Sequence, residues 1–95
     1  MNINHAPSTN IQVIKVLRYM HRNGSINRYE ADQIGVCHLA ARVQNLEERG
    51  LVYNHIDENG IKDFHGISHN GIRRYVIDWK RMTHEAVSNF MRWLR

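Results

Sequence analysis

The chain has 95 residues, enough for one compact domain around one core, and its 42% hydrophobic and 23% charged residues exclude a disordered chain. Thirteen Lys and Arg against nine Asp and Glu leave a formal charge of +4, and ten of the thirteen cations are arginine, whose planar fork suits phosphate and guanine edges. Cys37 is the only cysteine, which rules out an intramolecular disulfide; with neither a secretory leader nor a bilayer-length apolar run, the expectation is a cytoplasmic protein without a membrane anchor.

Residues 1–7 are polar, contain the only proline and show no periodicity, so they read as a flexible N-terminal arm. Ser8 and Thr9 offer an N-cap to a first helix over residues 11–21, where Val13, Ile14, Val16, Leu17 and Met20 sweep an apolar arc of roughly 160°. An arc that wide predicts contact with more than one neighbour. Asn23 and Gly24 end the helix. Asn27 and Glu30 stand at capping-box spacing and predict a short second helix running through Ala31 to Ile34, stopped by Gly35.

A third helix is expected over residues 37–49. Leu39, Ala40, Val43, Leu46 and Glu47 are placed on one side of it, and His38, Ala41, Arg42, Asn45 and Arg49 on the other, which is polar and basic. Gly50 ends it. Residues 51–56 are β-prone and are followed by the turn signal Asp57-Glu58-Asn59-Gly60; residues 61–71, with Gly66 and Asn70-Gly71, read as a hairpin tip with at most a short irregular strand. The returning strand is expected over 72–79. Its parity groups Tyr75, Ile77 and Trp79 with Arg73, and Val76 with Arg74 and Asp78, which leaves the buried face open. Thr83 caps a last helix to about Leu94, whose stripe of Val87, Phe90, Met91 and Leu94 must be covered, either by the first helix or by a second copy across a dimer axis.

The order helix, short helix, glycine turn, helix, strand, turn, strand resembles a winged helix-turn-helix domain, most closely over residues 11–75. Gly24 to Ala31, Gly35-Val36, and Leu39 to Leu46 are similar to the small helix-turn-helix proteins of phages and other mobile elements, with Ala31 and Gly35 at the two places where such helices pack closely. The resemblance implies an α+β winged helix-turn-helix fold: three helices and a β-hairpin wing over residues 8–79, with an additional C-terminal helix over 80–95. It also implies a binding domain for double-stranded DNA, acting as a homodimer on paired half-sites in transcription or as a recombination accessory factor, with no catalytic role.

In that reading the third helix enters the major groove. Arg42 then donates twice to a guanine, Asn45 pairs with an adenine edge, and His38 reaches a base or a phosphate; Arg49 is placed for the backbone. Lys62, Arg73 and Arg74, with His65 and His69, supply wing cations for the backbone or minor groove. Arg28 and Tyr29, opening the second helix, resemble the phosphate-contacting start of that helix in the family, although Tyr29 equally suits a core position.

Three rival readings are weaker. His65 and His69 stand four apart, but the neighbouring glycines argue against the helix a zinc pair would need, so neither metal nor cofactor is expected. Cys37 and His38 diverge on a helix and lack an orienting acid, which argues against a thiol nucleophile. A protein-binding adapter that inhibits host machinery is the serious alternative, opposed by the arginine and amide residues of the third helix.

Overall fold

The computed structural model describes residues 9–95; the expected arm at 1–7 and the Ser8 cap lie outside the described residues. The first helix, α1 (Thr9–Asn23), buries Val13, Val16, Leu17 and Met20. Gly24 follows with φ +84° and donates to the Met20 carbonyl, as expected of a glycine that closes a helix. A strand absent from the sequence reading comes next, β1 (Ser25–Asn27). Three residues carry no strand pattern of their own; β1 is defined by pairing with a strand 49 residues further on, Ser25 opposite Val76 and Asn27 opposite Arg74.

The capping box is formed. The Asn27 side chain accepts from the Glu30 amide, the Glu30 carboxylate accepts from the Asn27 amide, and α2 (Arg28–Gln33) begins there. It ends one residue before the expected Ile34, and Gly35 turns the chain at φ +80°. Val36, 1% exposed, anchors the turn by donating to the Ala31 carbonyl. The third helix, α3 (Leu39–Glu47), is shorter than the expected 37–49. Cys37 and His38 belong to the approach: His38 has φ +56° and makes no side-chain cap, a left-handed conformation uncommon for a residue with a Cβ.

The hairpin consists of β2 (Tyr53–Glu58) and β5 (Ile72–Ile77), in register from Tyr53 opposite Ile77 to Glu58 opposite Ile72. Asp57 and Glu58, expected in the turn, are paired strand residues. Two short strands, β3 (Ile61–Lys62) and β4 (Ser68–His69), pair with each other to make a separate tip. Asn59 and Asn70 clamp the tip's base, each side chain accepting from the glycine amide beyond the other, Gly71 and Gly60. The main sheet is antiparallel in the order β1-β5-β2. Its central strand sends Tyr75 and Ile77 into the core, which settles the open parity, and ends two residues short of Trp79, which opens a 3-10 turn.

Thr83 caps α4 (His84–Trp93) through the Ala86 amide. Ala86 and Phe90 join the core formed by α1, α3 and the sheet, while Val87, Trp93 and Leu94 pack partly buried against it. The close fit is at Gly50, where an added Cβ would sit 2.6 Å from that of Ala86 and where φ is +108°. Among the described residues no helix is long and apolar enough to cross a membrane.

Candidate nucleic-acid interface

Residues from three separated stretches meet around one groove of about 420 Å3. The two ends of α2 supply Arg28 and Asp32, the approach to α3 and its first turn supply His38 and Ala40, and the start of β5 supplies Arg73. Arg28 and His38 are exposed. The Arg28 guanidinium lies 4.9 Å from the Tyr29 ring centroid and donates to the Tyr29 hydroxyl at 2.9 Å, so the two expected contact residues form one stacked unit. Tyr29 is half-buried, its ring 5.6 Å from that of His69 in the tip. Arg73 meets Asp57 at 4.0 Å with both side chains more than half exposed, a weak ion pair that exchanges at little cost.

The electrostatics run along α3. Its amino end sits among Arg28, His38 and Arg73 and carries the positive end of the helix dipole, whereas Glu47 and Glu48 are exposed at its carboxyl end. With exposed Asp32 as the one acid among the described residues lining this groove, a polyanion is attracted more strongly to the amino end of α3 than to Glu47 and Glu48.

The side of α3 that the structure exposes differs from the expected one. Arg42 and Asn45 are half-buried, and Arg42 Nε and Asn45 Oδ1 are enclosed without hydrogen-bond partners among the described residues. Arg49 continues their stripe, and its guanidinium lies 4.7 Å from the centroid of Trp93 on α4. Arg49 itself is exposed, at the place where α4 packs beside the end of α3. Ala40 and Glu47, assigned to the core side from sequence, are exposed instead. Between them lies Gln44, also exposed, an amide side chain that the sequence reading passed over. The wheel carries a partial signal for it: from the centre of Leu39, Val43 and Leu46, Gln44 and Asn45 lie equally far, about 130° to either side.

Arg74 is corrected from a backbone contact to a structural residue. Its Nη atoms donate to both Glu30 oxygens at 2.9 and 3.0 Å and to Ser25 Oγ at 3.0 Å, and its Nε pairs with Glu58 at 2.9 Å. These bonds, to Glu30 first, hold its guanidinium further above its already high ordinary value against the opposing effect of burial. One cation thus ties β1, the α2 cap, β2 and β5 together. Of the remaining wing cations, Lys62 is exposed on the tip and His65 is exposed. A second group of exposed cations, Lys15, Arg18 and Arg22, lies on acid-free α1 around a separate open cleft.

Asp63 organises the tip. Its carboxylate accepts from the His65 and Ile67 amides at 2.8 and 3.0 Å and meets His69 Nε2 at 2.7 Å. The bond to His69, then that to the Ile67 amide, holds this carboxyl below its ordinary value. A lowered folded-state value means that the charge supports the turn above the ordinary carboxylate pKa, about 4, and that the support is lost as pH falls through the lowered value. In an NMR titration, the His65 and Ile67 amide resonances are expected to move together only in acid below about pH 4. Movement centred at higher pH would show that the turn's order does not depend on the Asp63 carboxylate. Among the described residues no group of three or more His, Cys, Asp or Glu is placed to hold a metal ion.

No curated protein and no solved structure matches the chain. The family model of the winged helix-turn-helix domain matches residues 11–79, from the third residue of α1 to the start of the 3-10 turn. With the β1-β5-β2 sheet, the α2–α3 turn and the hairpin all inside that span, the chain belongs to the winged helix-turn-helix domain family, whose members are typically non-enzymatic DNA-binding domains.

Proposed function

We propose that this protein binds double-stranded DNA in a sequence-specific manner in the cytoplasm, as a transcriptional regulator or a recombination accessory factor. The exposed side of α3 lies in the major groove, from its amino end to Gln44. His38 and Gln44 face base edges, and Arg28, Lys62 and Arg73 hold the backbone on either side. The observation that carries this reading is the meeting of Arg28, His38 and Arg73, far apart in sequence, around one groove at the mouth of α3. Exposed Gln44 supports it, since an amide pairs with adenine in the major groove while Ala40 and Ala41 leave room for close approach. Occupation of paired half-sites by two copies belongs to the same proposal. The pairing is set by the site and not by α4, because Ala86 and Phe90 are taken up by their own core.

Gel shifts over a salt series test the placement, using the best duplex selected from a random library. Gln44→Ala is expected to cost about 1–3 kcal/mol on the selected site and little on random duplex. Arg28→Gln with Arg73→Gln should weaken binding on every sequence and lower the salt slope by about 2, roughly one for each lost phosphate contact. Arg18→Gln with Arg22→Gln, on α1, should leave the slope unchanged. A slope change in the α1 pair equal to that of the groove pair would move the duplex to the other basic surface. No complex at low salt would remove the DNA reading.

A further inference from the structure

The hairpin tip keeps two large apolar side chains in solvent. Phe64 is 96% exposed and Ile67 58% exposed, and the two stand three residues apart on the same turn. Single exposed apolar residues are ordinary; here the surrounding chain is built to hold a pair of them outward. Besides its three side-chain contacts to the His65 amide, the Ile67 amide and the His69 ring, Asp63 donates its own amide to the Ile67 carbonyl at 2.9 Å and accepts from the Gly66 amide at 3.0 Å. Gly66 makes the turn at φ +81°. The Asn59–Asn70 clamp fixes the base of the tip, and the His69 ring lies against Tyr29 of α2. A loop this fully hydrogen-bonded presents Phe64 in a defined place, so ordering it costs little when it meets a partner.

We infer that Phe64 is a wedge that enters the minor groove of the bound duplex between two base pairs and kinks it, with Ile67 beside it against the sugar edges. The inference rests on the DNA reading above. Position and charge favour this occupant: the tip grows from the strand that places Arg73 in the α3 groove, and exposed Lys62 and His65 lie close to Phe64 on either side, while the carboxylate of the intervening Asp63 is taken up by the His65 and Ile67 amides and the His69 ring. Apolar side chains inserted in this way partly unstack the step, and the bend lets the duplex follow more of the protein surface. Phe64 also borders an open cleft with Tyr29, Asp32, Gln33, Lys62 and Asp63, whose two carboxylates disfavour a phosphate inside it, so contact at the tip is carried by the apolar side chains and by Lys62.

The test uses the full chain and a short A·T-rich duplex carrying a donor and an acceptor dye at its two ends, with affinity measured in the same titration. The wild-type protein is expected to shorten the end-to-end distance by the amount corresponding to a kink of about 20–90°. Phe64→Ala should bind up to about tenfold more weakly and leave the duplex straight, while Phe64→Leu keeps most of the bend. Because Phe64 touches no core residue, the thermal midpoint of each variant should match the wild type, which separates this effect from misfolding. Binding without a bend, or an equal bend from Phe64→Ala, overturns the wedge while leaving the DNA reading in place. Absence of any wild-type complex overturns both. A fall in molecular mass by light scattering on Phe64→Ala, without any change in bending, would give the tip to a second copy of the chain and also overturns the wedge.

Discussion

Arg74→Met is expected to lower the unfolding free energy by about 2–3 kcal/mol, a shift of roughly 10–20 °C in Tm for a domain of this size. The side chain is 19% exposed and bonds both oxygens of Glu30 and one of Glu58, whose side chains are 27% and 24% exposed. Methionine fills much of the space yet leaves two carboxylates facing each other without their common cation, and that uncompensated charge is where the loss arises. Partial access of water keeps the cost below that of a fully enclosed pair. The carboxylates supply the control: adding Glu30→Gln and Glu58→Gln to the methionine variant should recover part of the loss, because glutamine at the third helical position still serves the Asn27 capping box. Urea unfolding of the three proteins, wild type included, checks this. A loss below about 0.5 kcal/mol in Arg74→Met would show that the network is screened like an ordinary surface pair.

Phe90→Ala is expected to cost more, about 3–4 kcal/mol. Phe90 is 1% exposed, is among the largest fully buried side chains, and brings α4 into the core with Ala86 while its ring meets that of Trp93 at 6.0 Å. Truncation there leaves a cavity between α4 and the rest of the core that the backbone cannot close, since Gly50 already lets α4 approach as near as the atoms allow. The midpoint of unfolding should be independent of protein concentration in both proteins, because the contact lies within one chain. A midpoint that rises with concentration in the wild type and not in the variant would instead assign Phe90 to a subunit interface.

These two residues mark where sequence reading stops. The Phe90 stripe was legible as a surface that had to be covered, but amphipathic spacing gives no information on the covering partner, which is decided by α4 folding back past Gly50. From sequence Arg74 is indistinguishable from the wing cations of the same stretch, Lys62 and Arg73. Its two carboxylate partners lie 44 and 16 positions away in the chain and are brought to it only when β1 and β2 pair on either side of β5. The same limit applies to α3. Gln44 and Asn45 are equivalent on an isolated helix, and one became exposed and the other half-buried through the packing of the surrounding elements.

By itself the sequence determined the features that depend on a few adjacent residues. The Asn27–Glu30 cap, the glycine turns at Gly24, Gly35 and Gly50, the Thr83 cap and the order of elements that makes a winged helix-turn-helix were all readable, because capping geometry and left-handed φ are local properties. Only the tertiary structure decided β1, the duty of Arg74, the outward side of α3 and the apolar tip at Phe64. Each of those depends on which distant segment lies alongside, and a pattern of residue types along a chain carries side-chain period without carrying the direction from which a neighbour arrives.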